Sequence, residues 1–300
     1  MNRPVCAFCT FLAAILFTMA ARSVYADSPV ANSDDNAAGV AWPFFAFDNG
    51  VGRDQGWRPS QQAKLTSELG FDGIGYSRVE DLDARYAACD ASGQHIYSFY
   101  ESFSVGKKDP ISPATLRKLP QLKGRDAILW INVQGRGTDA EAVAAFQRLA
   151  DEAGKHGVRV AIYPHDNTYV ETSEHALRLA KAVGRKNFGM SINVCHELKA
   201  GRGDDLIEIV KDSINHLFLV SINGADGVED PERERGWARL IQPLGEGDFD
   251  VLPFLQKLRD SGYEGPIGLQ CYQVPGKTDE ILKKSIRAWR AIAAKISLAD

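Results

Sequence analysis

Three stretches of this chain repeat one local arrangement. "ELGFDGIGY" (residues 68–76), "KHGVRVAIY" (155–163) and "DSGYEGPIGL" (260–269) each run from a helix end through a glycine and a short turn into a strand. Glycine accepts the left-handed backbone that stops a helix, so a join repeated along the chain means that helices and strands alternate, the pattern of a parallel sheet. Beyond Ala41 the apolar runs predict strands at 43–47, 73–76, 95–100, 127–133, 158–163, 188–193, 217–222 and 266–271. Amphipathic segments predict helices at 60–69, 81–92, 113–122, 139–155, 173–183, 204–213, 249–261 and 278–296. Ser60 and Thr138 are the expected N-caps, and Gly70, Gly93, Gly157 and Gly262 the expected stops. Eight strands and eight helices without a composition break predict a closed (β/α)8 TIM barrel, an α/β fold, rather than an open doubly wound sheet.

In a barrel strand alternate residues face the helices and the interior, so a period of two separates packing from chemistry. In the last four strands one face is apolar: Val158, Val160, Ile162; Phe188, Met190, Ile192; Phe218, Val220, Ile222; Ile267, Leu269, Cys271. The other face reads Ala161, Tyr163, His165; Gly189, Ser191, Asn193; Leu219, Ser221, Asn223; Gly268, Gln270, Tyr272. Each inward row grows more polar toward the C-terminal end, where such barrels carry their active sites. Amides and an imidazole there suit the orientation of hydroxyl groups, and Gly189 and Gly268 beneath them are expected to leave room under a ligand. Any one of these polar residues reads equally well as the cap of a neighbouring loop; the shared gradient points jointly to a site. Glu101 ends the third strand. Arg136, in "NVQGRGTDA", reads as an anchor for an anionic group or as a turn residue. Trp237 reads as a platform for a sugar ring or as a half-buried loop anchor. Glu246 and Asp248 are expected to cap the helix that follows.

Other features narrow the class. A net charge of −4 with no basic stripe argues against a nucleic-acid partner. Residues 1–26 read as a cleavable secretory signal, because the apolar run from Val5 to Ala20 falls short of the ~20 residues a membrane span needs. Residues 27–41 read as a flexible linker and 42–298 as the barrel. The protein is therefore expected to be exported, periplasmic or secreted, with no membrane span after cleavage; the oligomeric state is left open. Cys6 and Cys9 leave with the signal, and Cys89, Cys195 and Cys271 match no zinc pattern. "GVGRDQG" is one residue too long for a dinucleotide fingerprint and reads as a loop bordering the pocket. "VPGKTDE" has Cys271 where a phosphate loop requires glycine, and reads as a turn and helix start. No G-x-S-x-G elbow occurs, which argues against serine-hydrolase chemistry.

"LIQPLGEGDFDVLPFLQKLRDSGYEGPIGLQ", "LAKAVGRKNFGMSINVCHE" and "GVRVAIYPH" together resemble the closing region, sixth strand and fifth strand of the xylose-isomerase-like TIM barrels, the sugar phosphate isomerase/epimerase family. The resemblance implies a divalent metal held by a Glu on strand five, an Asp on strand six, a His on strand seven and a Glu on strand eight, with the two Glu moving protons. The matching positions here are Tyr163, Asn193, Ser221 and Gln270, and none is a carboxylate. A hard cation wants anionic oxygens, so no cofactor is expected at the family position. A Zn²⁺, Mn²⁺ or Fe²⁺ site would have to be rebuilt around His165 and His196, with Glu101 as a carboxylate. Otherwise these histidines serve as substrate contacts or structural hydrogen-bonders.

The expectation is an exported enzyme with a small-molecule carbohydrate as partner, moving a proton next to a carbonyl as an isomerase, an epimerase or an eliminating keto-sugar lyase. His165 is the expected base or acid, with His196 or Glu101 as its partner. Tyr163, Asn193, Ser221, Asn223, Gln270, Arg136 and Trp237 are the expected substrate contacts. The alternative is a sugar-binding barrel without catalysis, since one barrel hosts unrelated functions. A separation beyond ~7 Å between His165 and any second titratable group would favour that alternative.

Overall fold

Eight short parallel strands pair in sequence order and close into a barrel in the structure, a computed structural model that describes residues 42–227 and 236–297. The predicted signal and linker lie outside the described residues. The strands are β1 (Phe44–Phe47), β2 (Gly73–Ser77), β3 (His95–Val105), β4 (Ile128–Gly135), β5 (Arg159–Tyr163), β6 (Phe188–Asn193), β7 (Leu217–Ile222) and β8 (Ile267–Leu269). Closure is made by β8 on β1, with Gly268 opposite Phe45. Around the sheet lie α1 (Pro59–Leu69), α2 (Leu82–Ala91), α3 (Pro113–Lys118), α4 (Asp139–Gly154), α5 (Ser173–Val183), α6 (Val194–Lys199), α7 (Leu206–Ser213), α8 (Leu252–Asp260) and α9 (Thr278–Ser297). The fold is the predicted (β/α)8 barrel, and no helix among the described residues is long and apolar enough to cross a membrane.

Local chemistry explains where the elements begin and end. Thr138 caps α4 as expected: its Oγ accepts from Glu141 N at 3.3 Å, while the Glu141 carboxylate accepts from Thr138 N at 2.7 Å. Ser60 does not cap α1. Pro59 takes the first helical position, where a missing N–H leaves nothing unsatisfied, and this moves the cap to Arg58. Gly70, Gly93, Gly157 and Gly262 all adopt positive φ, between 65° and 83°. Asp250, not Glu246 or Asp248, accepts the first N–H of α8 (Leu252 N, 3.0 Å); Glu246 pairs with Lys284 and Asp248 with the Gly227 N–H. β3 and β4 run past the rim as a two-stranded ribbon as far as Val105 opposite Gly135.

Packing divides into two layers, as the alternation requires. The larger lies between sheet and helices and includes Val160, Ile162, Met190, Ile192, Val220 and Ile222. The smaller fills the barrel with Phe45, Phe47, Ile128, Trp130, Ala161, Tyr163 and Leu219. Its aromatic rings interlock across three strands: Phe47 stacks on Trp130 at 4.9 Å, and Trp130 meets Tyr163 edge-on at 4.2 Å. Each fully buried ring contributes about 1.5–3 kcal/mol. Gly268 makes room for these rings, and Gly189 for a neighbouring strand. A Cβ on Gly268 would stand 2.7 Å from the Phe47 ring and 2.8 Å from that of Phe45, and one on Gly189 would stand 2.4 Å from the His216 carbonyl. The space expected under a ligand is thus occupied by the protein's own atoms, which corrects the sequence reading.

Candidate active site

Above this aromatic floor the C-terminal strand ends open into a cavity of about 320 Å³, the small end of the range for small-molecule pockets. Histidine enters it because β5 stops at Tyr163: Pro164 has no N–H for the ladder, and the chain turns so that His165 N donates to Val170 O at 2.9 Å. Asn193 at the end of β6 fastens that turn from beneath, its Nδ2 donating to Pro164 O at 3.1 Å. α6 then starts at once and carries His196 into the wall. The neighbouring Glu197, fully buried, accepts from Ser173 N and Oγ (2.8 and 2.6 Å) and lies 3.4 Å from Arg202 Nε, tying α6 to the start of α5.

The two imidazoles lie 4.1 Å apart, centroid to centroid, and Tyr163 lies 5.6 Å from His165 and 5.3 Å from His196. Their hydrogen bonds fix their tautomers. His165 Nδ1 lies 2.7 Å from the Asp166 carbonyl, which only accepts, so Nδ1 carries the hydrogen and Nε2 keeps the lone pair. The Asp166 N–H donates to His196 Nδ1 at 3.3 Å, so the neutral His196 has its hydrogen on Nε2, which donates to Tyr163 Oη at 2.9 Å. Burial pushes the pKa of His165 below the ordinary histidine value, with the Asp166 carbonyl opposing. Burial pushes His196 far lower, and His165 adds to it. Both rings are neutral at physiological pH. Burial raises the Tyr163 hydroxyl well above the ordinary tyrosine value, partly countered by the Gln270 amide.

Further contacts come from the β1 side. Asp48, at the end of β1, accepts from Ser77 N at 2.9 Å and Ser77 Oγ at 2.8 Å, and lies 3.6 Å from Arg53 Nη1. Burial raises its pKa, although Ser77 and Arg53 oppose this. Asn49 Nδ2 donates to Gln270 Oε1 at 2.7 Å, and Tyr272 N donates to the same oxygen at 3.0 Å.

Of the residues expected from sequence, Tyr163, His165, His196, Trp237 and Gln270 line the cavity together. Trp237 stands 5.0 Å from the His196 ring. Asn193 and Ser221 lie one layer deeper: Ser221 Oγ donates to Asn193 Oδ1 at 2.9 Å, within a network that reaches Trp130 through Ser191. Asn223 holds the loop after β7 through Leu240 O and Gly224 O, both at 2.7 Å. Glu101 points away, its carboxylate accepting from Val79 N at 2.6 Å, because it occupies an outward position of β3 next to the inward Tyr100. Arg136 borders a separate open groove with Tyr169 and His175. Asp48, Asn49, Arg53, Tyr100 and Trp130 also line the cavity without having been singled out; the "GVGRDQG" loop was expected at its border, and Arg53 lies in that loop.

A family model described as xylose isomerase-like TIM barrel matches residues 116–292, more than half of the chain. The chain belongs to the xylose isomerase-like TIM-barrel family. Among characterised relatives, it is 26% identical to the rhizopine catabolism protein MocC of Rhizobium meliloti over 224 residues, covering 69% of this chain and 62% of that one. It is 25% identical to the inosose isomerase of Halalkalibacterium halodurans over 139 residues, covering 44% and 45%. The matches thus span less than two thirds of the relatives' own length. Solved structures with the same fold include the IOLI protein with a bound zinc atom (TM-score 0.70, 15% identity, 84% of this chain and 98% of that one). Another is the D-allulose 3-epimerase of a Methylomonas species (TM-score 0.65, 18% identity, 84% and 100%).

Family resemblance places a divalent cation at the positions of Tyr163, Asn193, Ser221 and Gln270, and these residues do not fit one. Asn193 Oδ1 and the Ser221 hydroxyl bond each other, and Gln270 Oε1 already accepts two donors. Tyr163 is held protonated by burial. No anionic oxygen is offered to a hard cation. Nor do His165 and His196 rebuild a site, since both His196 nitrogens are engaged within the protein, and no cluster of three His, Cys, Asp or Glu among the described residues is arranged to hold an ion.

Proposed function

We propose that this protein is an exported enzyme that moves a proton next to the carbonyl of a neutral sugar or keto-sugar, in an isomerisation, an epimerisation or an elimination. One observation carries the reading: His165 presents an Nε2 lone pair in a sugar-sized, aromatic-walled cavity, with a second titratable ring 4.1 Å away. That separation is well inside the limit that would favour a purely binding barrel. A neutral imidazole is a competent base near physiological pH. Tyr100 and Trp237 supply rings for the apolar side of a sugar, and Gln270 and Asn49 supply amides for its hydroxyls. Neutrality of the substrate follows from Arg53: it donates to Asp54 at 2.8 Å and lies 3.6 Å from Asp48, so its charge is already balanced by two carboxylates.

Incubation in D₂O with neutral ketohexoses, aldohexoses and keto-inositols should place deuterium on the carbon beside a carbonyl. An enzyme that exchanges no proton across that panel would contradict the reading.

A further inference from the structure

The layer that stands where the family places a cation is neutral, and it is also directional. Asp166 N–H donates to His196 Nδ1, and His196 Nε2–H donates to Tyr163 Oη. Gln270 Oε1 is filled by Asn49 and Tyr272, so that amide oxygen is not left to accept the Tyr163 hydrogen. The His196 N–H therefore points at the Tyr163 oxygen, which accepts it. Because that bond uses the oxygen as acceptor, the hydroxyl's own hydrogen is available to a group in the cavity that Tyr163 lines. Donors in series polarise one another, which strengthens the last O–H.

We infer that the Tyr163 O–H is the group that holds the carbonyl oxygen of the substrate and the enolate oxygen formed from it, in the place of a metal ion. The inference rests on the proton-transfer reading given above. In the step assigned, the C–H bond beside the carbonyl breaks and its proton goes to His165 Nε2. The electron pair forms the C=C bond, and the carbonyl π pair moves onto oxygen, where the Tyr163 O–H meets the developing charge. The proton returns to carbon from the imidazolium, so nothing is oxidised or reduced. Tyr163 and His165 are two residues apart at the end of one strand, their rings 5.6 Å apart, so donor and base can address adjacent atoms of one substrate. His196 acts as a positioning residue through Tyr163. A preorganised donor in a dry site serves better than it would in water, because no reorganisation is required as charge forms.

The test uses the full chain and three probes: D-fructose, D-allulose and 2-keto-myo-inositol. For whichever the wild type exchanges, Tyr163→Phe should lower kcat about 100- to 1,000-fold, the loss expected for one oxyanion donor, with KM changed by less than about threefold. His196→Leu should lower kcat as well, and the double variant should lose no more than Tyr163→Phe alone, since His196 acts through that hydroxyl. Additive losses would give His196 a merely structural role and overturn the relay. A readout independent of turnover is the Tyr163 Cζ carbon resonance in the His165→Ala variant, which should move when the probe is added; an unmoved resonance overturns the contact. Activity lost to EDTA and restored by Mn²⁺ would also overturn the inference. Exchange abolished by His165→Ala but kept by Tyr163→Phe would sink the tyrosine assignment alone, whereas a wild type that exchanges none of the probes would sink the proton-transfer reading with it.

Discussion

Asn193→Asp changes one buried nitrogen into an oxygen, and the hydrogen bonds around it set the consequence. Asn193 Nδ2 donates to Pro164 O at 3.1 Å and Ser191 Oγ at 3.2 Å, while Oδ1 accepts from Ser221 Oγ at 2.9 Å. An ionised carboxylate keeps only the last of these. Its second oxygen would face the Pro164 carbonyl and a Ser191 hydroxyl whose hydrogen is directed to Ile162 O at 3.1 Å. An uncompensated buried charge costs about 3–5 kcal/mol, whereas the protonated acid can donate to Pro164 O and fit well. The folded-state pKa therefore rises far above the unfolded value of about 3.9. A group with a raised folded pKa holds its proton better when folded, so the variant matches the wild type near pH 4 and loses stability as pH rises, at about 1.4 kcal/mol per unit. From about pH 4.5 to 7.5 the added loss reaches about 4 kcal/mol, or roughly 8–16 °C in Tm for a domain of this size. Thermal unfolding followed by circular dichroism in EDTA, with wild type and variant compared at each pH, measures it. A wild-type Tm at pH 7.5 refutes the argument. Recovery of Tm with Mg²⁺ or Mn²⁺ refutes it too, because the new carboxylate would then face a latent cation site.

Further outcomes follow from other parts of the barrel. His165→Ala should lower proton exchange about 100- to 10,000-fold with little change in Tm. Because burial holds the His165 pKa below 6.5 and the base works unprotonated, the wild-type rate should rise with pH through a value below the ordinary histidine range and stay flat above it; a rate still climbing above pH 7 would contradict the assignment. Gly268→Ala places a methyl group 2.7 Å from the Phe47 ring and should cost about 1–3 kcal/mol, read as a lowered Tm; an unchanged Tm would mean the rings do not fill that space. Burial pushes the Cys89 thiol up to about 11 and those of Cys195 and Cys271 to about 12, so iodoacetamide at pH 8 should leave all three unmodified until denaturant is added, as peptide mass spectrometry would report.

What the sequence made legible depends on whether a strand's two faces differ. In β5 to β8 the inward residues, Leu219 apart, are small, polar or aromatic with a polar tip and the outward ones apolar, so the period of two shows, and Tyr163, His165 and Gln270 could be placed at the mouth. In β1 the run "FFAF" is apolar on both faces, and in β4 "ILWIN" nearly so, since strands buried on both sides lose their alternation. Phe47, Asp48 and Trp130 were hidden for that reason. Asp48 reads as the start of a loop until its carboxylate is seen bonded to Ser77, 29 residues away. The direction of a side chain is the other thing spacing conceals. Glu101 looked available at a strand end, but one step along β3 turns it to the helices, where the Val79 N–H takes it. α6 was missed because six residues are too few for a periodic signal, and its first turn decides that His196 forms part of the wall.

The clamp at Glu197 bears on how such a protein changes over generations. The glutamate next to His196 is locked between Ser173 and Arg202, so a substitution anywhere along that chain of contacts would disturb α5, α6 and the imidazole together. The histidine side of the cavity is consequently resistant to piecemeal alteration. The β1 side is different: at the far end of its glycine-rich turn Asp54, Gln55 and Gly56 are exposed, so changes there disturb little below the surface. Changes in descendants of this chain should accumulate there, with the residues at the ends of β5 and β6 carried over intact.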